Sequence, residues 1–157
     1  MALFGKRAPS VFELPYDLRE DIRAAIERAP QDAVLRMRTP GAERSLEALN
    51  KRSPAQEVIT AMVYCVDALT FAKGYLAVGQ TSLIVSITPD EGNARLLAIP
   101  FADISRFWFD SGMAGVRFGD PERRVDVAFP GGGPHCQAAC GQIKAAVDSL
   151  RVDPYSL

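Results

Sequence analysis

One histidine, one tryptophan and three cysteines are what this chain offers of its scarcest reactive side chains. A tetrahedral zinc site takes four ligands from such groups, so the supply is thin from the start. An odd thiol count leaves no complete set of disulfide pairs. Charge of neither sign dominates: 18 basic residues meet 19 acidic ones, for a net charge of −1. That balance excludes a strong general field for nucleic acid or an anionic membrane, and no nucleic-acid partner is expected. No stretch approaches the roughly 18 uninterrupted apolar residues of a membrane-spanning helix. The opening "MALFGKRAPSVF" carries its basic residues after its apolar start, unlike a secretory signal. A reduced, cytoplasmic setting is the expectation.

What is present is ordinary globular material. Hydrophobic residues make up 48% and charged residues 24%, enough apolar surface for a core without disulfide or metal. A chain of this length buries about two-thirds of its unfolded surface. The sequence divides into an N-terminal helical extension (1–55), a strand-rich domain (56–152) and a short tail (153–157).

In the extension, "DLREDIRAAIERAP" places Leu18, Ile22, Ala25, Ile26 and Ala29 at helical spacing. Asp17 with Glu20 resembles a capping box, and Pro30 ends the element. "DAVLRMRT" fits a strand or a short helix. "PGAERSLEALN" reads as a helix with Thr39 as cap, Pro40 in its first turn, and Leu46 and Leu49 facing inward.

From Glu57 the period changes. "EVITAMVYCV" is β-branched and continuously apolar, as in a strand buried on both faces. "YLAVGQT", "SLIVSIT", "ARLLAIP", "ISRFWFD", "AGVRFG" and "RRVDVAF" follow at 8–12-residue spacing, with turn residues between them. Cys136, Ala139, Cys140, Ile143, Ala146, Val147 and Leu150 then form one helical stripe, which must be buried.

Seven strands and one closing helix resemble the pleckstrin-homology-like (PH-like) fold, in particular its small bacterial members. The resemblance covers about residues 45–150. "GYLAVGQTSLIVSI" is similar to their second hairpin, and "LLAIPFADISRFWFDSG" to the passage where Ile-Pro precedes Asp-Ile and a strand. It implies an α+β chain: a seven-stranded antiparallel barrel or sandwich capped by a C-terminal amphipathic helix. It also implies a binding platform, for phosphoinositides in some members and peptides in others. Lipid-binding members carry several bases between the first two strands. Here that loop, "DALTFAKG", has only Lys73, opposed by Asp67.

Four constellations carry candidate chemistry. In "FPGGGPHC", Gly131, Gly132, Gly133 and His135 lie at a helix start and suit an anion, joined in that alternative reading by Arg123 and Arg124. A phosphate loop, however, follows its glycines with a Lys and a hydroxyl, both missing here, so the favoured reading is a strand-to-helix linker. His135, Cys136 and Cys140 suggest a metal, but the two thiols share the face to be buried and His135 is turned about 100° away. No metal or cofactor is expected. His135 is also the only imidazole base, and Asp103, Asp110, Asp120 and Asp126 have no evident pairing. No catalytic residue is expected, and a small enzyme using Cys136 or His135 is the third-ranked reading.

Aromatic residues give the last constellation. Alternation sends Trp108 to the face opposite Phe107 and Phe109. That face is either covered by the N-terminal helices or free as a contact patch, with Arg106 at its rim. The leading expectation is a non-enzymatic module for protein–protein contact, including self-association into a homo-oligomer, through Arg106 and Trp108. The runner-up is a peripheral membrane or phosphoryl-ligand binder.

Overall fold

A computed structural model describes Leu14 and residues 16–29, 39–89, 91–131 and 133–150. Residues 32–38 of the ambiguous segment, the 153–157 tail and Gly132 lie outside the described residues. The elements are α1 (Glu20–Arg28), α2 (Pro40–Arg52), β1 (Ala61–Asp67), β2 (Lys73–Val78), β3 (Ser82–Thr88), β4 (Arg95–Pro100), a 3-10 turn (Phe101–Asp103), β5 (Ile104–Phe109), β6 (Met113–Phe118), β7 (Arg123–Ala128) and α3 (Pro134–Ser149). The chain is α+β, as expected.

All seven strands join one antiparallel sheet in the order β4-β3-β2-β1-β7-β6-β5. The sheet does not close: β4 and β5 are its two ends. At the corner between them, Phe101 N–H donates to Thr81 O and Asp103 O accepts from Gly119 N–H. Those backbone groups therefore bond to other loops rather than joining β4 to β5. The halves meet through only two pairs, Val66–Ala128 and Asp67–Val127. Beyond these β1 and β7 part, and the sheet bends.

The continuous apolar strands are explained by two cores sharing one sheet. Inward residues such as Val63, Cys65, Leu76, Val85, Phe107, Val116 and Val127 pack with Cys136, Cys140, Ile143 and Val147 of α3. Residues of the opposite parity, including Met62, Tyr64, Tyr75, Ala77 and Ile84, pack under Ile22, Ile26, Leu46 and Leu49 of α1 and α2. Alternation thus buries both faces of β1 to β3. α2 approaches closely because the contact surface is small-sided: Ser45 Oγ donates to Lys73 O at 2.9 Å, and Ser86 Oγ donates to Ser45 O at 2.8 Å.

Three local expectations are corrected. α1 is capped at Arg19 without a side-chain bond, not by Asp17. Asp17 instead offers its carbonyl to Asn50 Nδ2 at 2.8 Å, and Asn50 Oδ1 accepts from Arg19 N–H at 2.7 Å, which ties the start of α1 to α2. Thr39 does occupy the cap position of α2, but makes no side-chain bond there. Leu150, assigned to the buried stripe, is exposed, because α3 ends at Ser149 and the chain leaves the core.

Candidate functional site

β1 hands over to β2 through a five-residue loop whose tip is apolar. Leu69 and Phe71 are 86% and 71% exposed, the most of any large apolar side chains among the described residues. Phe71 holds φ +61°, in the left-handed region that disfavours a side chain. The loop is held there by Asp67, whose carbonyl accepts from Phe71 N–H at 2.9 Å and whose carboxylate accepts from Leu69 N–H at 3.2 Å.

Behind the tip lies a cleft of about 730 Å³, where the sheet bends away from itself at the end opposite α3. Its walls include Ala72, Val85, Ile87, Leu97 and Val125, with Arg95, Arg123 and Arg124 at the margin. Arg124 is engaged by Asp126 at 2.6 Å. Arg123 lies over the Phe118 ring, 5.1 Å from its centroid. Neither Arg95 nor Arg123 has a carboxylate partner among the described residues. Asp67 and Asp126 also line the cleft. The rim is therefore of mixed sign.

The glycine-turn residues and the two arginines, grouped as one alternative anion site, are not brought together. Arg123 and Arg124 begin β7, while Gly131, Gly133 and His135 follow its end, about 20 Å away at strand rise. Gly133, with φ +104°, supplies the bend into α3, and Pro134 opens the helix. The His135 ring donates from Nε2 to Met62 O at 2.8 Å. That carbonyl lies on β1 beyond its two pairs with β7, so the histidine serves strand and helix as a tie.

The three thiols converge. Cys65 lies mid-strand in the same core as Cys136 and Cys140. Burial first, then the neighbouring Cys136, pushes the Cys140 thiol up to about 12, and burial pushes Cys65 further in the same direction. Among the described residues no group of three His, Cys, Asp or Glu is arranged to hold a metal ion. No described helix is long and apolar enough to cross a membrane.

Compared with known proteins, the chain matches no family model, and no curated protein matches it. What it does is read from its surfaces. The second of these is the pair singled out in the sequence: Arg106 is exposed and Trp108 half-buried on the outer face of β5, opposite Phe107. α1 packs on β1, and α2 on β2, β3 and β4, so neither helix is the cover for Trp108. A groove of about 510 Å³ runs along β5 beside Lys144 and Asp148 of α3. Leu69, Phe71 and Arg95 were not expected as site residues. The one available signal was two large apolar side chains, Leu69 and Phe71, in a short segment between two strands.

Proposed function

We propose that the chain is a PH-like interaction module without catalytic activity, and that it holds a protein partner at the open end of its bent sheet. The strand order, the bend and the helix at one end support the PH-like reading. The observation that carries the function is the Leu69–Phe71 tip, two exposed apolar side chains beside an apolar cleft, one of them in a costly backbone conformation. Such a tip anchors well in a partner's apolar surface.

The mixed rim favours a protein over an anionic bilayer. Asp67 and Asp126 line the cleft beside the arginines that a bilayer would need, whereas a protein surface can match both signs. The test is affinity capture from the native cell with the wild-type chain and a Leu69→Ser/Phe71→Ser variant, with mass determination of the particle. A stoichiometric protein lost from the variant supports the proposal. Salt-sensitive co-sedimentation of the pure wild-type chain with phosphatidylserine vesicles, with no protein captured, overturns it in favour of the membrane.

A further inference from the structure

Strand register builds an arrangement on the outer face of β5, β6 and β7 that lies apart in the sequence. Arg106 pairs with Arg117, and Arg117 with Arg124, so three guanidinium-bearing residues stand in one row across three strands. The next row on the same face is Trp108, Gly115 and Asp126. A Cβ on Gly115 would collide with the Trp108 indole and with Asp126 Oδ1, so the missing side chain is what leaves room for the ring over the sheet. The ring forms an aromatic floor beside the arginines.

Like charges directly across strands are unfavourable. Compensation here is partial: Arg124 has Asp126 at 2.6 Å, Arg117 reaches Glu122 only at 3.9 Å between exposed side chains, and Arg106 has no ion pair among the described residues. The row keeps a net positive charge and faces outward, with neither N-terminal helix packed on it.

We infer that this face docks an acidic amphipathic helix of a protein partner, its carboxylates on the arginine row and an apolar side chain on Trp108. Spacing selects the helix. Neighbouring strands lie about 4.8 Å apart, so the row runs across the strands. A segment lying along one strand meets a single arginine, and only a crossing segment meets all three. Helix residues three or four apart are about 5–6 Å from one another, near the row's spacing. Same-face residues of an extended chain stand about 7 Å apart and fall out of step. Arg124 borders the open-end cleft as well, but Arg106 and Arg117 lie outside its lining, so reversing those two tests this surface separately from the one proposed above.

Trp108 is the only tryptophan and reports directly on the event. The full chain is titrated with a synthetic helical peptide bearing Glu at i, i+4 and i+7 with Leu between them, while Trp108 emission and its quenching by acrylamide are followed. Saturable change, protection from acrylamide, weakening with added salt, and loss in Arg106→Glu/Arg117→Glu are the expected results. The reversal variant is checked by circular dichroism. Arg106→Ser alone, which removes one exposed charge, is expected to weaken binding several-fold with the melting temperature unchanged. Absence of any change in Trp108 overturns the proposal, as does binding that survives the reversal. Equal binding of a proline-interrupted peptide of the same composition overturns it too, and equal or tighter binding of duplex DNA does so in favour of a nucleic-acid backbone.

Discussion

Phe71 exposes its ring and holds φ +61°, two features that work against each other unless something outside the fold uses the ring. A left-handed conformation costs a non-glycine residue about 1–2 kcal/mol, and glycine adopts it freely. Phe71→Gly is therefore expected to leave the protein as stable or up to about 1 kcal/mol more stable, read from urea unfolding, since little packing is lost. The same variant should lose the captured partner. A variant less stable than wild type would mean that the ring supports the fold. Glu57 is the opposite kind of residue, buried and fully used. It accepts from Thr81 N–H and Oγ1–H, both at 2.6 Å, and from Ser82 N–H at 3.2 Å, pinning the β2–β3 turn. Burial by itself would raise its carboxyl, but these bonds outweigh burial and hold it below the ordinary 4.5. A depressed folded value means that this stabilisation is complete above pH 4.5 and disappears as pH falls through the lowered value. Glu57→Gln should cost about 1–3 kcal/mol at pH 7 and flatten the acid limb of stability against pH. Part of the limb should remain, because Asp21, bonded by Ile59 N–H and Arg19, is lowered too.

Among elements, α3 fills its core through a single face. Cys136, Ala139, Cys140, Ile143 and Val147 are buried along it, and the helix fills the end of the bent sheet opposite the cleft. Ile143→Ala should cost about 2–5 kcal/mol in denaturant unfolding, as the vacated volume cannot collapse against a rigid sheet. Iodoacetamide at pH 8 should leave Cys65 and Cys140 unmodified in the native protein and alkylate all three thiols after unfolding, read by intact mass. Rapid native labelling of Cys140 would show the stripe open to water. This element was legible in the sequence, as were all seven strands, because periods of 3.6 and 2 are local and each segment carries its own. The start of α1 was not, because it is set by Asn50, some thirty residues away, rather than by a neighbouring cap. Closure was not legible either. Whether β4 meets β5 depends on where a three-residue corner sends its hydrogen bonds, which no period records.

At the scale of the whole molecule, register decides what the sequence leaves open. Arg106 and Trp108 stood out as a pair, but Arg117 and Arg124 join them only through strand pairing, across eleven residues and then seven. The extended length of β7 separates Arg123 from His135. Packing between distant segments governs the relation between the N-terminal helices and the rest. α1 and α2 cover Met62, Tyr64, Tyr75, Ala77 and Ile84 on the outer side of strands whose inner side is already core. The guanidinium of Arg19 adds polar ties, donating to Glu57 O at 2.6 Å and to Ser53 O at 3.2 Å. Removing residues 1–55 would lay those five side chains bare as one contiguous patch, the condition under which soluble domains aggregate. The shortened chain is expected to be insoluble or to bind the dye ANS strongly, as measured by sedimentation and fluorescence. Leu46→Ala in the full chain should cost about 2–5 kcal/mol, comparable with Ile143→Ala on the other core. A soluble, monomeric and cooperatively folding 56–157 chain would instead mean that the helices are an addition the sheet does not need. Their packing against β1 to β4 would then be open to exchange for a partner's.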